Sequence, residues 1–323
     1  MDPNVGTMLS TTLKKYRKTL TDNIHKSNAV FYMLKEKGGL KEEDGGERIV
    51  EPLMYGKNTT AKSYDGYEAL DTTPQTGIDS AEFNWKQYSV SISISGKEER
   101  QNAGTSRIIN LLDAKIKQAE LSLTESLSEG LFSDGTANAG KNLTGLAAMV
   151  SASGTYGGIN SATYTWWRAG VDSTSEALSL SDMRTAFNTA SVGGKDTPDL
   201  IVTTQALYEA YEGLFTQVAV TGSNARAGDF STPSDGMKKM ADGGFQSLQY
   251  KGVPIVWDEQ CTSGSMYFLN TKHMKLTVHK DANFETTDFV KPENQDARVA
   301  QILWMGNLTC NRRKSFYLLS NKT

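Results

Sequence analysis

Apolar positions along this chain recur in two periods, and the period changes from segment to segment. Leu9, Leu13, Tyr16, Leu20 and Ile24 recur at spacings of four, three, four and four. That narrow stripe predicts one or two amphipathic helices over 8–36. The stretch RIVEPLMY (48–55) reads as a strand, and Pro52 in its middle restricts it to a sheet edge. FNWKQYSVSISIS (83–95) alternates, but Phe83 and Trp85 share one parity while Tyr88, Val90, Ile92 and Ile94 share the other. A parity change inside one strand throws half its apolar side chains to the wrong face, which predicts a bulge near Lys86-Gln87.

The strongest helical signal spans about 104–133. Ile108, Leu112, Ile116, Ala119, Leu123 and Leu127 recur at 4-4-3-4-4, with Arg107, Asp113, Lys117, Glu120 and Glu125 on the opposite face. At 1.5 Å per residue this is a rod of about 45 Å, a spine for sheets to pack on. TYTWWR (163–168) reads as a short strand or loop, and Ser181 as the cap of a helix that stops at Gly193-Gly194. PDLIVTT (198–204) is a buried strand leading into the helix QALYEAYEGLF, and 216–244 reads as a mobile loop. YKGVPIVWDEQC (250–261) follows as a strand with Pro254 at an edge or bulge, closed by Asp258 and Glu259 at solvent. Strands at SMYFLN, MKLTVHK, RVAQILWM and FYLL complete an α+β fold class.

One stretch has little to bury. KNTTAKSYDGYEALDTTPQTGIDSAE (57–82) is polar, with an Asp65-Gly66 turn flanked by Tyr64 and Tyr67. A loop of this length does not belong inside a compact domain, so the expectation is a hairpin arm whose partner is another molecule.

The net charge of −3 argues against a dedicated nucleic-acid binder. Its distribution is uneven: residues 1–41 carry eight Lys/Arg against Asp2, Asp22 and Glu36, so +5 there leaves −8 for the rest. No apolar run approaches the roughly 20 residues of a membrane span, and the first residues lack the apolar core of a signal peptide. The expectation is a soluble chain made in a cytoplasm. Cys261 and Cys310 imply no disulfide framework.

Each pattern that suggests chemistry lacks a required part. GTANAGKN (135–142) approaches a Walker A loop, yet Asn142 supplies no hydroxyl for Mg²⁺ and a helix precedes Gly135 where a strand is needed. His273 and His279 stand six apart in strand-like context, not four apart on a helix face. No G-x-S-x-G elbow exists for a nucleophilic serine. Asp258 and Glu259 are neighbours on a strand and point to opposite faces. The expectation is a protein that is not an enzyme, with no catalytic residues, no cofactor and no metal.

The order of parts, a basic helical arm, a long polar hairpin, a spine helix and an α/β region, resembles the major capsid proteins of tailed bacteriophages, the Hong Kong 97 fold. Local strings carry the likeness: SISISGKEERQNAGTSRIINLLDAKI, the GL…GGI…W stretch from Gly145 through Trp166, PDLIVTTQALYEAY, YKGVPIVWDEQC with SMYFLNT, and NQDARVAQILWMGNLTCNRR. The resemblance implies an N-terminal arm over 1–47 and an extended loop lying over a neighbouring subunit at 48–96. It implies a peripheral domain over 97–195 with return strands at 286–323, and an axial domain over 196–285. The implied function is a major coat protein that self-assembles through pentameric and hexameric capsomers into an icosahedral shell around double-stranded DNA, located in the virion. Implied partners are other copies of itself, a separate scaffolding protein and a portal, with packaged DNA contacted non-specifically and no membrane.

Intersubunit contact is expected at Tyr64, Asp65, Tyr67, Phe83 and Trp85, and at Leu9, Leu13 and Tyr16. Lys14, Lys15, Arg17 and Lys18 are the candidate interior basic face. An encapsulin-like compartment of the same fold is the first alternative. An α+β hydrolase using Asp258 or Glu259, and a tail component forming tubes or rings, are the others.

Overall fold

The computed structural model describes residues 29–101, 111–194, 196–221 and 248–323. The candidates Leu9, Leu13, Tyr16, Lys14, Lys15, Arg17 and Lys18, and the stretch 222–247, lie outside the described residues.

Helix α1 (Ala29–Glu36) leads to β1 (Leu40–Glu43) and then to the hairpin strands β2 (Ile49–Met54) and β3 (Ile78–Phe83). Strand β4 (Lys86–Ser95), helix α2 (Gly96–Gln101) and the long helix α3 (Leu111–Phe132) follow. Beyond them come β5 (Gly170–Asp172), α4 (Leu180–Ala190), β6 (Leu200–Thr203), α5 (Gln205–Thr221), β7 (Leu248–Tyr250) and β8 (Val253–Trp257). The chain closes with β9 (Met266–Leu269), β10 (Met274–Thr286), β11 (Ala297–Cys310) and β12 (Tyr317–Leu319). Two compact units result: one contains 87–127 and 281–305, the other 29–86, 128–280 and 306–323.

The first unit is organised by a clean period of two. Along β4 every second residue faces inward, with Ile92 and Ile94 buried and Ser89, Ser91 and Ser93 exposed. Tyr88 meets Trp304 of β11 edge-on at 5.9 Å. The turn into α2 is a reciprocal capping box: the Ser95 hydroxyl accepts from the Glu98 N–H at 3.2 Å, and the Glu98 carboxylate accepts from the Ser95 N–H at 3.1 Å. Lys115 of α3 adds an ion pair to Glu98 at 3.0 Å. On α3 the buried positions Ala119, Leu123, Leu127 and Leu131 keep a period of four, as the sequence pattern requires.

The second unit centres on a six-stranded mixed sheet in the order β5-β12-β9-β6-β8-β7. Strand β6 is buried at all four residues, which suits an inner strand covered on both faces. It pairs parallel with β8 (Ile201 opposite Ile255) and antiparallel with β9 (Ile201 opposite Phe268). One core cluster joins Met183, Ala186 and Phe187 of α4 and Leu207 and Tyr211 of α5 to Ile201, Ile255 and Phe268 of the sheet.

Three expectations change. The parity switch near Lys86 is not a bulge within one strand. It marks the passage from β3, in the hairpin, to β4, in a separate four-stranded sheet of order β1-β10-β11-β4. Each strand keeps its own phase. Pro254 lies in β8, an inner strand, between β6 and the edge strand β7. Lys251 and Gly252 form the two-residue turn, both at positive φ (50° and 78°), and Val253 lies opposite Tyr250. Bonded and non-bonded pairs alternate from there, so Pro254 opposite Gln249 has no ladder bond to give to β7, and pairing to β6 begins only at Ile255. The cap of α4 is Ser179 rather than Ser181: its hydroxyl accepts from the Asp182 N–H at 3.2 Å. Of the strand or loop read at TYTWWR, the structure has the loop, with a single 3₁₀ turn at 165–167.

Candidate intersubunit surface

The hairpin separates its residues by strand parity. On β2, Ile49, Glu51 and Leu53 are buried while Val50, Pro52 and Met54 are exposed. The cross-strand register puts Ile49 opposite Phe83 and Glu51 opposite Ala81 on the inner face. It puts Met54 (82% exposed) opposite Ile78 (75% exposed) on the outer one. The outer face thus presents Val50, Pro52, Met54 and Ile78 outward, beside Ser80 and Glu82.

The inner face is docked within the second unit. Phe83, 3% exposed, meets Tyr156 edge-on at 5.1 Å. The Glu82 N–H donates to the Gly157 carbonyl at 3.0 Å, and a Cβ on Gly157 would lie 2.9 Å from the Ala81 methyl. Only glycine permits that approach. Buried Glu51 is paired with Lys41 at 3.4 Å and accepts from the Thr309 hydroxyl at 3.4 Å. Lys86 donates its amine to the Gly140 carbonyl, and burial pulls its pKa below the ordinary lysine value.

The loop receiving the hairpin is held by Arg313. This guanidinium is fully buried and donates to the carbonyls of Met149 (2.8 Å), Ser151 (2.8 Å), Trp167 (3.0 Å) and Ala148 (3.1 Å), and to the Ser161 hydroxyl (2.7 Å). It also stacks over Tyr156 at 5.1 Å. Burial lowers its pKa and pushes the Tyr156 hydroxyl well up, so the ring stays a neutral platform beneath the cation. All of the fork's bonds fall on one stretch of chain, 148–167, and hold it in place, which is the work of a structural rivet.

Beyond Tyr55 the environment changes. Residues 61–76 are exposed throughout. Tyr64 and Tyr67 stand in solvent, and the Asp65 carboxylate accepts from the Gly66 N–H at 2.9 Å while its carbonyl accepts from Glu68, making the turn the sequence suggested. Thr59 bonds Gln75 across the arm at 2.8 Å. Of the candidate contact residues, Tyr64, Asp65 and Tyr67 therefore sit together at the exposed end of the hairpin. Phe83 and Trp85 sit at its root. Trp85 donates its indole N–H to the Gly46 carbonyl at 2.9 Å and meets His279 edge-on. Sequence reasoning passed over Tyr55, Trp166, Gly157 and Arg313. The only signal was the clustering of aromatics in TYTWWR.

The residues considered for chemistry are occupied structurally. Asp258 is 3% exposed, not at solvent as expected, because its carboxylate accepts from the Ala29 N–H at the start of α1 (3.2 Å) and from the Gln260 N–H (2.9 Å). Glu259 is exposed. His273 lies between Asp196 (2.6 Å) and Asn311 (2.8 Å), and Arg312 pairs with the same Asp196 at 3.2 Å. Asp172, Glu176 and Asp182 converge closely enough to suggest a cation site, but the Lys322 ammonium already fills it at 3.0, 2.6 and 3.7 Å. At GTANAGKN a helix does precede Gly135, and Asn138 and Ala139 take left-handed backbone angles instead of a phosphate cradle.

The chain matches no protein-family model, and no curated protein matches it. Solved structures do. The capsid of cyanophage A-1(L) superposes with a TM-score of 0.67 at 17% identity, covering 96% of each chain. The capsid of Myoviridae phage XM1 gives 0.56 at 10% identity, over 94% of this chain and 95% of that one. The SrpI encapsulin of Synechococcus elongatus gives 0.55 at 8% identity, over 94% of this chain and 92% of that one. The fold is that of the tailed-phage capsid proteins.

Proposed function

We propose that this chain is the major coat subunit of a tailed-phage head, assembling through pentamers and hexamers into an icosahedral shell around double-stranded DNA. The observation that carries the reading is the hairpin: a root locked into its own subunit and an end whose aromatic and apolar side chains are left to solvent. A shell closes by repeated heterologous contacts, so every subunit must offer surface that is satisfied only by a neighbour. Each contact can be modest, because many per subunit add through multivalency.

On this reading 48–96 is the extended loop, contacting a neighbouring copy through Tyr64, Asp65 and Tyr67 and through the strip of Val50, Met54 and Ile78. Residues 97–195 and 286–323 form the peripheral domain, 196–285 the axial domain, and 1–47 the arm. The basic cluster Lys14, Lys15, Arg17 and Lys18 faces the interior, toward scaffold or packaged DNA. The protein resides in the virion shell, is made in the bacterial host, and works with a separate scaffolding protein and a portal. No step of this function requires catalysis. The likeness to an encapsulin supports a second reading, a protein compartment holding enzyme cargo. Its TM-score of 0.55 against 0.67 for the cyanophage capsid favours the first. Copurification separates the two: DNA or scaffold supports the phage shell, and a captured enzyme supports the compartment.

A further inference from the structure

We infer that Tyr55 and Trp166 form a latch that fixes the direction in which the hairpin arm leaves its subunit, so that the arm is oriented before a neighbour arrives. The inference rests on the proposed role of the arm in assembly.

The two rings stack at 4.8 Å with planes 10° apart. Their anchors differ. Trp166 lies edge-on to Trp167 at 5.6 Å, and Trp167 is held by its indole N–H on the Tyr156 carbonyl at 2.9 Å and by Arg313 on its own carbonyl. The receiving side is therefore part of the Arg313 rivet. Tyr55 belongs to the arm. It follows the last residue of β2, and its N–H donates to the Gly77 carbonyl at 2.9 Å.

Immediately past Tyr55 the arm narrows. A Cβ on Gly56 would sit 3.0 Å from the Gly77 Cα, and one on Gly77 would sit 3.1 Å from the Gly56 carbonyl oxygen. Two glycines face each other where the backbone is closest, and side chains there would force the strands apart. This neck is the place where the arm bends at least cost, because glycine pairs carry no steric brace. The latch sits on the subunit side of the neck and the exposed tyrosines on the far side. Without the latch, the arm's direction would have to be ordered at the moment of association, and that entropy would weaken every contact it makes.

The test uses the full chain with Tyr55→Ala and Tyr55→Phe. An exposed aromatic stack contributes little to folding, so both variants keep the far-UV spectrum and the denaturation midpoint of the parent. Hydrogen exchange of the 56–77 amides in the unassembled subunit reads the latch directly: faster in Tyr55→Ala, unchanged in Tyr55→Phe. The concentration at which light scattering reports assembly rises about two- to tenfold in Tyr55→Ala and is restored in Tyr55→Phe. Unchanged arm exchange, or assembly at an equal or lower concentration than the parent, overturns the latch. Removing 60–74 tests the underlying reading separately. Normal shells from that deletion remove the arm from assembly altogether, whereas failed shells from the deletion with a normal Tyr55→Ala remove only the latch.

Discussion

Residues 56–77 and 154–168 are alike in composition and unlike in circumstance. Both are rich in Gly, Ser, Thr and Tyr; 56–77 holds no helix or strand, and 154–168 only a two-residue ladder (Thr155–Tyr156 with Ile159–Asn160) and a 3₁₀ turn. In 154–168 the Ser161 hydroxyl and the Trp167 carbonyl meet the buried Arg313 guanidinium, which also bonds three carbonyls just upstream at 148, 149 and 151, and the rings of Tyr156 and Trp167 are enclosed. In 56–77 the side-chain hydrogen bonds stay within the arm, through short turns at Asn58, Asp65 and Asp71 and the Thr59–Gln75 pair, and the rings of Tyr64 and Tyr67 face water. Irregular backbone is stable inside a subunit when donors arrayed around it answer its buried acceptors. Where no such array exists, apolar side chains on the same kind of backbone imply a partner outside the chain.

The largest effect belongs to the enclosed segment. Arg313→Met leaves several buried carbonyls unanswered and is expected to cost about 3–5 kcal/mol of subunit stability by chemical denaturation. Arg313→Lys recovers little of it, since a point charge cannot bond five acceptors spread around a planar fork. A loss under about 1 kcal/mol would mean the segment is held by its rings alone.

A smaller effect is expected at the chain's end, where Lys322 sits shielded from water close to the surface. Lys322→Met is expected to cost about 1–2 kcal/mol, because the three carboxylates are partly solvated. The pH dependence has a definite sign. Hydrogen bonds from Thr174, then Lys322, hold the Asp172 pKa below the ordinary carboxylate value. That contribution is present above about pH 4 and lost as pH falls through the lowered pKa. Burial opposes the Lys322 charge, but its bonds to Glu176 and Asp172 outweigh burial and raise its pKa. Its contribution is present below about pH 10 and lost as pH climbs through the raised value. Denaturation of the parent against pH should therefore fall off at both ends, with Lys322→Met flatter on the alkaline side.

The exposed segment should hardly register in folding. Deleting 60–74, inside the Thr59–Gln75 pair, is expected to move subunit stability by less than about 1 kcal/mol while abolishing regular assembly. Tyr64→Ser with Tyr67→Ser should shift stability by less than about 0.5 kcal/mol and weaken assembly measurably. A large loss of stability from either change would erase the contrast between the two segments.

Much of the fold is legible in the sequence because it is periodic. The alternation from Tyr88 to Ile94 marks the inward face of β4, the period of four from Ala119 to Leu131 marks the buried stripe of α3, and PDLIVTT followed by QALYEAY gives β6 and α5. What is not legible depends on partners distant in sequence. Asp258 looks like a solvent terminus until α1 supplies an N–H from 229 residues away. The parity switch after Trp85 shows that the phase changes, but whether the chain bulges or enters another sheet is decided by β11, more than two hundred residues later. In ALSLSD (177–182) two serines compete to cap α4, and the winner is Ser179, three residues before the Asp182 that it bonds both ways. Of the candidate surface, Tyr64, Asp65 and Tyr67 could be read from a long polar stretch with nothing to bury. The latch could not, because Tyr55 and Trp166 are more than a hundred positions apart.

The central claim, that the subunit is built to be completed by copies of itself, is tested most directly by negative-stain electron microscopy of the freshly purified protein with light scattering on the same sample. Closed shells, or regular rings of five and six, with scattering mass far above that of a single chain, are the expected result. A monomer or small fixed oligomer that persists at the highest concentrations and with crowding agents would contradict it.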